Sequence, residues 1–249
     1  SPAAPFASTQ TTFPIRQIPG FCPNLTDLWQ TINPNKESTP CTHFPTVNTA
    51  LALLNRAGFE AFVVGGAVRD LLRGAPIHDW DITTSALPEQ TKAVFAGHRL
   101  IETGIKHGTV TVLMDGMPLE ITTYRVESTY SDHRRPDSVK LTDKLSDDLC
   151  RRDFTVNAMA WSPTRGYADP FGGREDLKKG ILRAVGDPKK RFREDSLRIL
   201  RGLRFAARYA LTLESATWQA MEQEKQRMES LARERVFDEL CKLLSSVTT

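Results

Sequence analysis

The chain has 249 residues, of which 40% are hydrophobic and 25% charged, a balance that fits a soluble globular protein with a sizeable core. No apolar run approaches the ~18 to 20 residues needed to cross a bilayer, and no charged-then-apolar signal segment opens the sequence. Formal charge is only +3, but Lys and Arg crowd into Arg134–Arg135, Arg151–Arg152 and the stretch from Lys189 to Arg208, which suits a polyanionic partner.

Residues 1–45 are rich in Pro, Thr, Ser and Asn and lack periodicity, so they read as an irregular N-terminal extension or a processed leader. From Thr46 the pattern changes. Val47, Leu51 and Leu54 mark an amphipathic helix ending near Gly58, and the apolar strand Ala61–Val64 follows. That strand runs directly into Gly65–Gly66 and a helix carrying Val68, Leu71 and Leu72. A second strand is expected over about Asp79–Thr83, a helix after Pro88, and a hairpin of Thr109–Met114 with Leu119–Tyr124 around Asp115–Gly116. The polar, Arg-bearing stretch from Arg125 to Pro136 predicts a mobile loop, and Leu145–Asn157 returns to regular structure.

Beyond Gly186 nearly everything reads as helix. Leu197, Leu200, Leu203 and Ala207 repeat at three or four residues, with Asp195, Arg198, Arg201, Arg204 and Arg208 on the polar side. Two further helices are expected near Ser215–Arg227 and Glu234–Leu244. The organisation is therefore an extension over 1–45, a mixed α/β head over 46–186 and a helical neck over 187–249.

Four cysteines, at 22, 41, 150 and 241, form no CxxC pair, and five histidines show no metal-ligand spacing. They read as reduced thiols in a reducing compartment: the cytoplasm, or an organellar matrix if residues 1–45 are a leader.

Asp79 and Asp81 flank Trp80 on a predicted strand, and a period of two puts both carboxylates on one face with the indole on the other. Paired carboxylates repel unless a cation binds, and Mg2+ prefers such hard oxygen ligands together with substrate phosphates. A lone DxD is weak, since two surface acids would look the same. Gly65 and Gly66, between a strand and a helix, let bare backbone N–H groups approach phosphate oxygens, with Arg69 adding charge; a tight turn without a ligand is the plain alternative. Arg151, Arg152, Asp153 and Asn157 place guanidinium groups beside an acid and an amide, which suits a triphosphate; an ion-paired helix start capped by Asp153 would read the same way.

Asp195 and Arg198 lie three apart in a predicted helix and can face one planar partner. Cytosine and adenine each offer an exocyclic amino donor beside a ring-nitrogen acceptor, whereas uracil and guanine offer a carbonyl beside an N–H. A carboxylate and a guanidinium would accept the first two and reject the others, with ~1–3 kcal/mol of discrimination per base-edge pair. An intrahelical salt bridge, worth ~0.2–0.5 kcal/mol, is the commoner meaning of D-x-x-R.

The chain resembles the class II branch of the DNA polymerase β-like nucleotidyltransferases, which holds bacterial-type CCA-adding enzymes and related poly(A) polymerases. The resemblance is carried by GGAVRD at 65–70, DWD at 79–81, TSALPE at 84–89, HGTVTV at 107–112, EITTYR at 120–125, YSDHRRPD at 130–137, RRDFTVNAMA at 151–160, EDSLRILRGLRFAAR at 194–208 and RERVFDEL at 233–240. It implies an α/β head with a mixed sheet flanked by helices, then an all-α neck. It further implies that Asp79 and Asp81 are catalytic and bind two Mg2+ ions, that Gly65, Gly66, Arg69 and Arg152 contact the nucleotide, and that Asp153 and Asn157 organise the site. Asp195 and Arg198 would be the amino-acid template for C and A, supported by Arg201 and Arg204. Glu120 is a candidate third carboxylate.

The implied activity is addition of C and A to a tRNA 3′ end from CTP and ATP with release of pyrophosphate. The stretch Tyr130–Pro136 resembles a loop associated with switching from C to A addition. Family members usually continue into helical body and tail domains, whereas this sequence stops near the end of the neck. Poly(A) polymerase, A-adding and CC-adding activities, and a noncatalytic RNA 3′-end binding module, are the alternatives.

Overall fold

The computed structural model describes residues 44–127 and 139–247. The described residues all fall within one compact unit. Helix α1 (Pro45–Arg56) starts at a proline, whose fixed φ suits a first helical turn, and buries Val47, Ala50, Leu51 and Leu54 as the periodicity predicts. Its N-terminal neighbour Phe44, which the sequence reading placed in the extension, packs edge-on against Trp80 at 4.5 Å. Residues 1–43 lie outside the described residues.

The head is built on a seven-stranded mixed sheet of order β3-β4-β5-β2-β1-β8-β9. Its strands are β1 (Ala61–Val64), β2 (Trp80–Thr84), β3 (Arg99–Ile101), β4 (Thr109–Met114), β5 (Met117–Thr123), β8 (Ala160–Ser162) and β9 (Gly166–Ala168). Only β2 and β5 run parallel; the other neighbours are antiparallel. The β4–β5 hairpin turns on Asp115 and Gly116, with φ of 50° and 77°, the two-residue loop that its D-G sequence predicts. Helix α2 (Gly66–Leu72) leaves the end of β1, and α3 (Pro88–Val94) follows β2.

Two short strands, β6 (Arg125–Glu127) and β7 (Val139–Leu141), pair antiparallel, so the segment expected to start as a loop at Arg125 starts as a strand. The rest of that predicted loop, residues 128–136, lies outside the described residues. Helix α4 (Leu145–Cys150) and a single 3-10 turn at Thr155–Asn157 carry the chain back into the sheet.

Helix α5 (Gly173–Lys179) and strand β10 (Ile181–Leu182) lead to the neck helices α6 (Pro188–Glu194), α7 (Leu197–Tyr209), α8 (Ser215–Glu224) and α9 (Arg233–Val247). The neck is not purely helical: β11 (Thr212–Leu213) pairs parallel with β10, tying α7's end to the head. Residues 225–230 form a 3-10 segment instead of continuing α8.

The face of α7 also differs from the expectation. Ile199, Gly202, Phe205 and Tyr209 are buried, and so are Arg198 and Arg204, whereas Leu203 is exposed and Leu200 only half-buried. The arginines can be buried because carboxylates on α6 and α9 meet them, which offsets the cost of removing charge from water. Gly202 is the close-contact point of this packing: a Cβ there would collide with Met221 Cε and lie 2.9 Å from Phe154 Cζ. Among the described residues no helix is long and apolar enough to cross a membrane.

Candidate active site

Strand β1 ends at Gly65, whose φ of 70° belongs to the left-handed region that glycine adopts without strain. A side chain here is also excluded by space, because a Cβ would lie 2.8 Å from Arg152 Nη1. Gly65 N–H donates to Met159 O, so the donor left at this turn is that of Gly66, which opens α2 and has no intrahelical acceptor. Arg69 folds back over Gly66 and is nearly immobilised. It donates to Asn157 Oδ1 at 2.6 Å, to Tyr209 Oη at 2.6 Å and to both oxygens of Asp70.

The acidic pair sits on β2 and just before it. Trp80 is buried, Asp81 is half-buried on the opposite face, and Asp79 precedes the strand and is exposed. Asp81 stands opposite Glu120 across the parallel β2–β5 pair. Burial raises the Asp81 carboxyl above its ordinary value; Arg152 opposes this, while Glu120 and Asp79 add to it. Asp81 thus lies in the field of two further acids, with Arg152 the guanidinium that opposes them. Among the described residues no group of three or more acidic, His or Cys side chains is placed to hold a metal ion.

The arginine pair at 151–152 is neutralised by a residue the motif reading missed. Asp148, fully buried on α4, takes Arg151 at 2.9 Å and Arg152 at 3.3 Å, and also the Arg125 backbone N–H at 3.4 Å. Burial pushes its carboxyl up, but the two arginines outweigh that and hold it below the ordinary value. The i,i+3 and i,i+4 spacing of Asp148 to these arginines was the signal in the sequence.

Asp153 serves a different arginine. Its Oδ2 accepts from Arg201 Nε and Nη2 at 2.9 and 2.7 Å, and its Oδ1 accepts from Asn157 and from Phe154 N–H. Burial works against the charge, yet Arg201, Asn157 and Arg198 bring the carboxyl down to about 2. Arg204 binds Glu239 of α9 at 2.7 Å, and Arg201 reaches the same carboxylate at 3.6 Å. Both arginines sequence reading assigned to support are thus ion-paired within the neck and to the head.

The Arg198 backbone N–H donates to Asp195 O at 3.1 Å, while the two side chains are held by other partners. Asp195 ends α6 in an extended conformation; its Oδ1 accepts from Leu197 N–H at 3.1 Å and its Oδ2 from Arg235 Nη2 at 2.9 Å. Arg198, at the first turn of α7, donates to Glu194 at 2.9 Å, to Arg191 O at 3.2 Å and to Arg151 O at 3.0 Å. The intrahelical bridge expected of D-x-x-R is replaced by two separately anchored groups. Arg235 and Glu239 lie in the RERVFDEL stretch, to which sequence reading gave no role.

Gly65, Gly66, Arg69, Asp81, Arg152, Asp153, Asn157, Asp195, Arg198, Arg201 and Arg204 all line one cleft of about 620 Å³; Asp79 lies outside its lining. Nine arginines and three aspartates face it among the described residues. The volume falls in the range of small-ligand sites, and the planar guanidinium forks suit phosphates and base edges.

A mixed sheet with an acidic strand, joined through an arginine-lined cleft to a helical neck, is the head and neck of a nucleotidyltransferase. The family described as Poly A polymerase head domain matches residues 61–183, and that described as the probable RNA and SrmB- binding site of polymerase A matches residues 210–248. The chain is 51% identical over 193 residues to the CCA-adding enzyme of Lactobacillus helveticus, covering 78% of this chain and 48% of that one. It is 48% identical over 209 residues to that of Streptococcus pyogenes, covering 84% and 52%.

Among solved structures, the Bacillus stearothermophilus CCA-adding enzyme in complex with CTP aligns with a TM-score of 0.74 and 42% identity, over 83% of this chain and 49% of that one. The Thermotoga maritima CCA-adding enzyme complexed with tRNA_CCA aligns with 0.66 and 28%, over 79% and 46%. The chain belongs to the CCA-adding enzyme and poly(A) polymerase family of nucleotidyltransferases, and it spans about half the length of the curated relatives it matches.

Proposed function

We propose that this chain carries the catalytic head and neck of an enzyme that adds C and A to the 3′ end of tRNA from CTP and ATP. The observation that carries the reading is that Asp81 lines the same cleft as Asp195 and Arg198, so one bound nucleotide can meet both the acidic strand and the helix-borne pair. The relatives support it: they are CCA-adding enzymes, one solved with CTP and one with tRNA.

In this reading the RNA 3′-hydroxyl attacks the α-phosphorus of the nucleotide, the bond from that phosphorus to the bridging oxygen breaks, and pyrophosphate leaves. Asp79 and Asp81 would hold Mg2+, which would neutralise charge on the reacting phosphate oxygens. Gly66 lets the phosphates approach the backbone, and Arg152, held by Asp148, sets a positive charge beside Asp81. Asp195 accepts from the amino group of cytosine or adenine while Arg198 donates to the ring nitrogen; a carboxylate has about four lone-pair positions, so its two existing bonds leave room. Asp153 and Asn157 keep Arg201 and Arg69 in place.

The test is extension of tRNA lacking its terminal CCA by the purified chain with Mg2+, CTP and ATP. Asp81→Ala and Asp79→Ala should each abolish extension while leaving tRNA binding close to wild type. Unchanged turnover in either variant rejects its metal role. Product sequencing on tRNAs ending one, two or three nucleotides short separates full CCA addition from A-only, CC-only or poly(A) addition.

A further inference from the structure

Tyr209 stands at the C-terminal end of α7, where three guanidinium groups converge on one phenol. The Cζ atoms of Arg69, Arg73 and Arg208 lie 4.2, 4.6 and 5.4 Å from its ring centroid. Among the described residues a single carboxylate pairs with this trio, Asp70, which takes Arg69 at 2.8 Å and Arg73 at 3.7 Å. Arg208 makes no ion pair with any described residue and is exposed. Three guanidinium charges against one carboxylate leave a local excess of about two positive charges. Burial lowers the Arg73 guanidinium from its ordinary value, and Arg69 and Arg208 add to that against the pull of Asp70, as expected of a corner short of negative charge.

Hydrogen-bond capacity points the same way. Arg69 already uses four of its five N–H donors on Asp70, Asn157 and Tyr209. The buried Tyr209 hydroxyl accepts from Arg69 at 2.6 Å, so its own proton remains to be donated, and no described residue accepts it. Tyr209 and Arg208 line the cleft that also contains Asp81 and Asp195.

We propose that this corner, formed by Tyr209, Arg208 and the remaining donor of Arg69, with Arg73 over the Tyr209 ring but outside the cleft lining, is a phosphate-binding subsite of the cleft. It rests on the transferase reading above for the identity of its ligands. Asp195 lies at the other end of α7, and 13 helical residues separate the ends by about 20 Å. The corner is therefore out of reach of the base that Asp195 and Arg198 would read, and it serves an anionic part of a substrate. Two sources share that chemistry: the terminal phosphates of the nucleotide, which become the pyrophosphate, and a phosphodiester of the RNA. The contact of Arg69 with Gly66 places the corner beside the glycine turn and favours the first.

Binding of inorganic pyrophosphate, and separately of a short single-stranded RNA, is measured by titration calorimetry without added metal. The proteins compared are the wild-type chain, Arg208→Ala, Tyr209→Phe and, as a control of equal charge change, Arg99→Ala on the exposed strand β3. Arg208→Ala and Tyr209→Phe should each weaken pyrophosphate about fivefold to tenfold, the effect of one lost charge-assisted or hydroxyl hydrogen bond, with Arg99→Ala near wild type. A loss confined to the RNA keeps the phosphate subsite and assigns it to the phosphodiester. Unchanged affinity for both ligands, or equal losses in Arg208→Ala and Arg99→Ala, overturns the proposal. Neither arm requires turnover, so an inactive chain that shows these losses separates the subsite from the transferase reading.

Discussion

Arg201 of α7 gives two hydrogen bonds, at 2.9 and 2.7 Å, to a single oxygen of Asp153, and so fastens the neck to the head across the floor of the cleft. Asp153 is buried and the Arg201 side chain about a third exposed, and the bond joins residues 48 apart in sequence. Removing the arginine from such a pair is costly, because the buried carboxylate is left without its partner.

The pair makes stability depend on pH in a defined window. Asp153 titrates near 2 in the folded protein against an ordinary 3.8, so its folded value is depressed. Its contribution is therefore complete above about pH 4 and is lost as pH falls toward 2, with a total of about 2 kcal/mol. Urea unfolding from pH 6 to pH 2 checks this: the gap between wild type and Asp153→Asn should narrow by about 2 kcal/mol on acidification. A gap that stays constant over that range would mean that Arg201 does not hold the carboxylate ionised.

Asp148 should be needed for nucleotide binding although it lies beneath the cleft and not in it. Asp148→Asn keeps the volume but leaves Arg151 and Arg152 without their shared anchor. The expected outcome is a rise in KM for CTP and ATP of about tenfold or more, and a stability loss of about 3 kcal/mol, as for other buried pairs opened from one side. Steady-state kinetics with thermal unfolding on the same preparation measures both.

Gly202 is a packing requirement with no chemical role. Gly202→Ala drives a methyl group into Met221, which is flexible, and against the ring of Phe154, which is not. Overpacking of this size costs about 1–3 kcal/mol, and the expected readout is a lower Tm with base preference unchanged.

The elements that sequence reading located are those with a local pattern. Helix α1 follows from Val47, Leu51 and Leu54, the hairpin from Asp115–Gly116, and the turn at Gly65 from a strand meeting two glycines. What escaped it is long-range. Strands β10 and β11 have two residues each and pair across some thirty positions, too short for any alternation to show. The ion pairs on the polar face of α7 escaped because nothing near Arg204 in the sequence identifies Glu239 as its partner, 35 residues on. The same holds for Asp195 and Arg235, 40 residues apart. The acidic pair was found by its alternation, but Asp79 stops one residue short of the strand and stays outside the cleft lining.

Base choice is the property that Asp195 and Arg198 should control. Their side chains are anchored separately, Asp195 by Leu197 N–H and Arg235, and Arg198 by Glu194 and two carbonyl oxygens, so each is fixed before a base arrives. Such preorganisation favours a base edge that matches both groups and penalises uracil, whose carbonyl would face the Asp195 carboxylate with neither acceptor satisfied. Asp195→Ala removes that repulsion and Arg198→Ala removes the donor. Each variant should reduce the ratio of kcat/KM for CTP over UTP by about tenfold to a hundredfold, corresponding to the ~1–3 kcal/mol of a base-edge contact. Triphosphate affinity should change far less, because Arg152 and the Gly66 turn are untouched. Parallel kinetics with CTP, ATP, UTP and GTP decide the matter: a variant that loses affinity for all four equally while keeping its selectivity would show that these two residues hold the neck together and do not read the base.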